Sequence, residues 1–473
     1  MSAPIQKKPN LVSVTSINAD GSHYVIHPAD VSGKFTSARR LFGYLLICVY
    51  VLLPWIPING APALFLDVEN RRFHVMGITL VTQDLWVMFF GITGLGFSLF
   101  FLTSLLGRVW CGWACPYTVF LEHVFRRIER FIDGDSIKRK ALQNATWGRQ
   151  KLIRAIIKQS FYIIAAGVIA HVFMSYFVSL PRLYQYVKEG PMMHATVFTF
   201  VFVLTGILWF CFSMFREQFC ILMCPYGRLQ SALTDDDTMI IGYDQKRGEP
   251  RGAAGKVTGD CIDCKRCINV CPTGIDIRNG LQLECIGCAA CVDACDAIMD
   301  KVGRPRGLVR YDSLNGLEGK KRRFMRPRVK VYLVLAALGV AVMTLLAWRM
   351  AKPYYAEFTR ISGPAFYVDA KTVRNMFSYR VMNKRNQDAT FRVELIDAPA
   401  GDVLSGGDGE FKISAQNEVK RTAVIAVPHD AYAGTVKLKY RITGQPGDVT
   451  LEGEFSFMGP HPQAFQSQST TEK

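Results

Sequence analysis

Five long apolar runs limit what this chain can fold into. They are LFGYLLICVYVLLPWIPI from Leu41, LWVMFFGITGLGFSLFFLTSLLG from Leu85, IIKQSFYIIAAGVIAHVFMSYFVSL from about Ile156 to Leu180, ATVFTFVFVLTGILWFCFSMF from Ala195, and VYLVLAALGVAVMTLLAW from Val331. Crossing a bilayer core takes about 20 apolar residues as helix. A backbone in lipid must also satisfy its own hydrogen bonds, which a single helix does. The first run follows about 40 largely polar residues, so it reads as a span and not as a cleaved leader. The reading is therefore of a polytopic α-helical membrane protein with five transmembrane helices.

Basic residues orient the spans. Arg39 and Arg40 precede the first. Arg108, Arg126, Arg127, Arg130, Lys138, Arg139 and Lys140 lie between the second and third. Lys320, Lys321, Arg322, Arg323, Arg326, Arg328 and Lys330 precede the fifth. Positive loops stay in the cytoplasm. All three clusters predict an inside N-terminus and an outside C-terminus. Arg71 and Arg72 fall on the outer side, in a loop whose MGITLVT stretch is expected to dip into the membrane or pack on it. The formal charge of +17 invites a nucleic-acid reading. The basic residues flank the apolar runs, however, which points to membrane lipid and away from nucleic acid.

The expected divisions are a cytoplasmic segment 1–40, spans one to four over 41–215 with a cytoplasmic loop 107–155, a cytoplasmic domain 216–330, a fifth span 331–350, an outer β domain 351–460 and a disordered tail 461–473. The β domain is read from short alternating stretches such as TFRVELID, EFKISA, TAVIAV and GTVKLKYRI, the pattern of a sandwich. It contains no cysteine, so no internal disulfide is expected there.

Twelve of the 14 cysteines fall in four tight motifs. Clustering of this kind signals ligation in a reducing compartment, not a disulfide framework. CIDCKRCINVCP begins at Cys261 and CIGCAACVDAC at Cys285. Both have the C-x2-C-x2-C-x3-C spacing of two-cluster ferredoxins, in which the fourth cysteine serves the other cluster. One 4Fe–4S cluster is thus assigned to Cys261, Cys264, Cys267 and Cys295, and a second to Cys285, Cys288, Cys291 and Cys271. The second copy has Asp296 where the first has Pro272. Zinc sites pair two knuckles over a longer gap, which this spacing does not resemble. No dinucleotide fingerprint, P-loop or C-x-x-C-H is present, so the electron donor is another protein or a membrane quinol.

RVWCGWACPYTVF from Arg108 and REQFCILMCPYGRLQ from Arg216 share C-x3-C-P-Y. Each follows a span that runs outside to inside. Four-residue spacing puts Cys111 over Cys115, and Cys220 over Cys224, on one helical face. Pro116 and Pro225 are expected to end the local helix, Tyr117 and Tyr226 to act as interfacial aromatics, and Arg108 and Arg216 to favour thiolate. Two thiolates per site favour cuprous copper; a dithiol–disulfide couple is the alternative. Lone Cys48 and Cys211 read as packing residues. His171, His194 and His123 are weaker candidates for a haem or metal.

These residues together resemble the CcoG family, also called FixG or RdxA. The resemblance covers nearly the whole chain: the C-x3-C-P pair, the tandem cysteine block between spans four and five, and an immunoglobulin-like C-terminal domain. It implies a cytoplasmic two-cluster ferredoxin-like α+β domain and an extracytoplasmic all-β immunoglobulin-like sandwich. It also implies residence in the bacterial inner membrane. The implied activity is reduction of Cu(II) to Cu(I) involving Cys111, Cys115, Cys220 and Cys224, in support of cbb-type cytochrome c oxidase assembly. Partners would include an assembly factor or copper chaperone, since the chain has no Met-rich or His-rich carrier tract. Two other readings are a quinol-linked conduit of the NapH type and a non-enzymatic assembly scaffold.

Overall fold

The computed structural model describes residues 25–69, 71–81, 85–253, 258–282, 284–350, 354–385, 387–396, 403–405, 409–429, 432, 434–447 and 449–461. The expected tail from 462 and most of the segment 1–40 lie outside the described residues.

The five apolar runs are helices: Lys34–Leu52, Leu85–Leu106, Arg149–Met174, Ala195–Phe210 and Pro327–Met350. All five are long and apolar enough to cross a membrane. Leu41, Ile92, Ile164, Phe202 and Val334 lie exposed on them, faces that suit lipid and not water. The third helix differs from its expected bounds. It starts at Arg149 and stops at Met174, and Pro181 opens a separate helix, Leu180–Glu189. Proline cannot continue a helix but fits its first turn. The fourth helix ends in a π-helical turn, Cys211–Phe215. In the loop after the first span, Leu64–Asp67 pairs antiparallel with Arg72–Val75. The MGITLVT stretch there holds the strand Ile78–Val81.

At Gly94 and Gly339, spans two and five meet backbone to backbone. A Cβ on Gly94 would lie 3.2 Å from the Gly339 backbone, and one on Gly339 would lie 2.6 Å from Gly94 Cα. Small residues allow such close approach where lipid supplies no hydrophobic drive. The third and fourth spans are joined by Trp209 Nε1, which donates to Gln159 Oε1 at 2.8 Å. The segment after the second span packs beneath them through Leu121, Phe125, Tyr162, Ala166 and Phe212.

Between spans four and five, Ile240–Tyr243 pairs antiparallel with Val309–Asp312. The helices Arg266–Asn269 and Ala290–Lys301 complete this α+β unit. Ile241, Ile275, Ile277, Val292, Met299 and Leu308 form its core. Residues just before the first span dock on it: Ala29 N donates to Asn269 O at 2.7 Å. Asp293 then caps the span from outside, accepting from Thr36 N at 2.6 Å and Thr36 Oγ1 at 2.7 Å.

The C-terminal unit is a two-sheet antiparallel sandwich. One sheet runs Val403–Ser405, Glu418–Pro428, Thr372–Asn383, Tyr354–Arg360; the other runs Glu410–Ile413, Ala389–Leu395, Val436–Gln445, Val449–Phe457. Alternate residues point inward, and Phe377, Tyr379, Phe391, Ile425, Ile442 and Phe457 fill the core.

Candidate iron–sulfur and thiol sites

The two tandem cysteine runs fold as copies of each other. In the first, Asp263 and Lys265 take positive φ, at 54° each; in the second, Gly287 and Ala289 do so at the equivalent positions, at 67° and 59°. Left-handed residues on both sides of the second cysteine curl each loop and leave backbone N–H groups turned towards its concave side. Each run then enters a short helix carrying its third cysteine.

The thiols group across the runs as the crossing pattern requires. Cys295 has Cys267, Cys264 and Cys261 as charge neighbours. Cys291 has Cys288, Cys285 and Cys271, with Cys267 beyond them. Among the described residues, no three histidine, cysteine, aspartate or glutamate side chains close on one ion-sized point. Four soft sulfurs in each set suit an iron–sulfur cluster by ligand type, and the absence of a closed ion site holds equally for Cys111, Cys115, Cys220 and Cys224.

The C-x3-C-P-Y motifs correct the sequence expectation. Val109–Trp113 is a helical turn that ends before Cys115. Cys115 is the N-cap of Pro116–Phe120, and Cys224 is the N-cap of Pro225–Leu233. The preceding turns, Val109–Trp113 and the π-turn Phe219–Met223, stop just before the prolines as expected, and each proline also begins a new helix, because the first position needs no N–H donor. The two cysteines of a motif do not share a continuous helical face. All four thiols still converge: Cys115, Cys111 and Cys224 are the charge neighbours of Cys220. Cys111 also hydrogen-bonds Gln230 Oε1 at 3.2 Å, and Gln230 is fully buried.

Burial outweighs the nearby arginines. It pushes the Cys111 thiol up to about 12 despite the neighbouring Arg108 charge. Burial, then the adjoining thiols, pushes Cys220 up to about 12 as well. Arg216 is not directed at the thiols; it pairs with Glu129 at 3.0 Å. Tyr117 Oη donates to Arg216 O at 2.5 Å, with its ring stacked on Phe212 and Phe219. Tyr226 Oη hydrogen-bonds Thr103 Oγ1 at 2.8 Å.

The thiol site abuts the second cysteine run. A Cβ on Gly112 would stand 2.6 Å from Ile286 O and 2.9 Å from Cys288 N and Cα. A Cβ on Gly287 would meet the Arg108 backbone at 3.1 Å. Trp113 Nε1 donates to Tyr311 Oη at 3.2 Å, and Tyr311 Oη to Gly287 O at 2.5 Å.

Sequence reading missed several supporting residues. Buried Arg39 faces the Cys288 sulfur and pairs with Glu122 at 3.1 Å. Arg126 donates to Pro272 O at 3.0 Å and to Glu217 at 3.1 Å. Glu129, Gln230 and Asp293 complete the frame. No motif announces them; a basic stretch spanning 126–139 was their one signal. The candidate histidines lie elsewhere: His171 is exposed and bonds Gly167 O of its own helix at 2.7 Å, and His194 pairs with Glu189. His123 is buried against Tyr44. Cys48 is exposed on its span, and Cys211 accepts from Tyr117 through its backbone O.

Three family models match this chain. Residues 87–134 match a 4Fe-4S binding domain, residues 215–314 a 4Fe-4S dicluster domain, and residues 345–460 the IG-like fold at the C-terminal of FixG. Protein RdxA of Cereibacter sphaeroides is 34% identical over 396 residues, covering 80% of this chain and 83% of that protein. Nitrogen fixation protein FixG of Rhizobium meliloti is 32% identical over 434 residues, covering 81% of each. With relatives 32–34% identical over about 80% of its length, two 4Fe–4S family models and the FixG C-terminal model matched in this one chain, the protein belongs to the FixG/RdxA family.

Proposed function

We propose that this protein is a cupric reductase of the bacterial inner membrane that supports assembly of cbb-type cytochrome c oxidase. The observation that carries the reading is the backbone contact between Gly112 and Ile286–Cys288. It sets the four-thiol site against a run assigned to iron–sulfur ligation. Cys261, Cys264, Cys267 and Cys295 would hold one cluster, and Cys285, Cys288, Cys291 and Cys271 the other. Two bound 4Fe–4S clusters supply one-electron carriage.

The substrate is Cu(II), which takes up one electron to become Cu(I). Cys111, Cys115, Cys220 and Cys224 offer it soft sulfur, which favours the cuprous product. Their protons leave as metal binds. Gln230 holds the Cys111 sulfur in place, and Arg108 ties the two motifs together by donating to Gly227 O. The four thiols are partly buried. The donor is a separate protein or a quinol, and the copper passes to a chaperone or assembly factor.

The test is Cys111→Ser combined with Cys115→Ser. Cupric reduction should fall about tenfold or more, with iron content and cluster spectra at parent values. An unchanged rate would remove the thiols from the reaction.

A quinol-linked conduit is favoured by a different observation. An apolar cavity of about 580 Å³ opens between spans one and two, lined by Leu41, Leu45, Leu102, Leu106, Trp110 and Trp113. A quinol that bleaches the cluster absorbance in detergent would support this reading. No quinol effect, together with oxidation of the reduced protein by Cu(II), would reject it.

A further inference from the structure

A second cavity, of about 90 Å³, lies where the first span, the loop after the second span and the tandem cysteine unit meet. Its lining includes Arg39, Arg40, Arg126, Arg127, Arg130 and Arg139. Among the described residues the carboxylates in that lining are Asp30 and Glu122, and Thr36 and His123 complete its polar surface. Adding the next layer brings in Arg216, Glu129 and Glu217, which pair with the lining arginines or with each other. Among the described residues, Arg130 pairs with Asp30 and Arg39 with Glu122 and the Cys288 sulfur, while Arg40 and Arg127 pair with no carboxylate.

Like charges also crowd one another here. Arg127 and Arg130 are close charge neighbours of Arg40. Burial, then Arg39 with Arg127 and Arg40, holds His123 down to about 4. A protein rarely gathers guanidinium groups around an internal space without an anion to balance them. Hydrogen-bonding capacity is left over too. Among the described residues, His123 Nδ1, Arg126 Nε and Arg139 Nε are buried and have no hydrogen-bond partner, on residues only 5–7% exposed. The walls are rigid: Arg126 is pinned to Pro272 O at 3.0 Å, and Arg139 to Pro28 O at 2.9 Å.

We propose that this arginine-lined cavity binds a phosphate-bearing anion. Guanidinium forks match phosphate oxygens in geometry as well as charge. The cavity lies beside the start of a membrane span, so a phospholipid headgroup is one source of that phosphate and a soluble phosphate compound is the other. The cavity is separate from the four-thiol site, and the inference does not depend on copper chemistry.

The experiment uses the full chain, purified anaerobically with its clusters. Inorganic pyrophosphate is expected to raise the melting temperature in a saturable manner. Arg40→Gln combined with Arg127→Gln should weaken the apparent affinity about tenfold. Asp30→Asn removes a partly exposed carboxylate facing Arg130 and should tighten it about two- to fivefold. These opposite signs separate a charge effect from misfolding. In nanodiscs, phosphatidylcholine alone is compared with phosphatidylcholine plus phosphatidylglycerol. If the anion is a headgroup, phosphatidylglycerol stays bound through detergent exchange, competes with pyrophosphate and is lost in the double arginine variant. If it is soluble, pyrophosphate binds equally in both bilayers. The proposal fails if neither pyrophosphate nor phosphatidylglycerol stabilises the parent, or if both variants bind as the parent does.

Discussion

Glu129 is 2% exposed, yet it carries a charge. Burial pushes its carboxyl towards the neutral form. Arg216, with His27 and Arg139 beside it, reverses this and holds it well below the usual carboxylate range. Arg216 stands at 3.0 Å, His27 Nδ1 at 3.3 Å and Arg139 at 3.6 Å. The cluster joins the loop after the second span to the turn before Cys220. Glu129→Gln would leave buried Arg139 without its counter-charge and Arg216 with Glu217 alone, at a cost of about 3–5 kcal/mol. The expected result is a lower melting temperature and incomplete iron loading, measured on purified protein. The pH dependence has a definite sign. The unfolded chain takes up a proton near the ordinary glutamate value of about 4.3, while the folded carboxylate resists. Glu129 therefore contributes fully above that pH, and its contribution is lost as pH falls below it. Acid unfolding followed by circular dichroism should be less steep in Glu129→Gln. The cysteines themselves were legible because ligand spacing is local in sequence. Glu129 was not, because its partners arrive from residues 27, 139 and 216.

Helices and strands were legible where their period is strong. The spans follow from length and apolarity, and the sandwich from alternation. The motif prolines stop the preceding turns as read, but the sequence did not show that each also opens a new helix. The capping of the first span by Asp293 was also hidden, since the cap and the helix are more than 250 residues apart in sequence. The glycines of spans two and five carry no spacing signal, yet they decide one helix crossing. Gly339→Leu would force a side chain into the 2.6 Å approach to Gly94 Cα. The expected penalty is about 1–3 kcal/mol, read as a lower unfolding temperature in detergent. Leu338→Ala, on an exposed neighbouring position, should change it little. Equal effects from the two substitutions would mean that the crossing carries no special load.

For the whole molecule, crossing parity gives a prediction that local chemistry cannot. Five apolar helices are long enough to span a bilayer. An odd number of crossings puts the two ends of a chain on opposite sides, whatever the direction of insertion. Direction is then set by the basic residues. Arg126, Arg127, Arg130, Lys138, Arg139 and Lys140 fall after the second span, and Lys320 to Lys330 before the fifth. The opposite loops carry few: Arg71, Arg72, Arg182 and Lys188 are the lysines and arginines between spans one and two and between spans three and four. That asymmetry predicts residues 216–330 in the cytoplasm and the C-terminal sandwich outside. The thiol site would then face the reducing compartment that its free cysteines require. Trypsin added to intact, right-side-out spheroplasts tests it. Residues 354–460 offer many exposed lysines and arginines, among them Arg374, Arg392, Lys412 and Lys437. The expected outcome is loss of an epitope placed after residue 461, while a membrane-bound fragment retains its iron. Inside-out vesicles should give the reverse, with cleavage near Lys320 to Arg323 and a protected β domain. Cleavage in the 216–330 segment from the outside would invert the orientation and remove copper reduction on the cytoplasmic face.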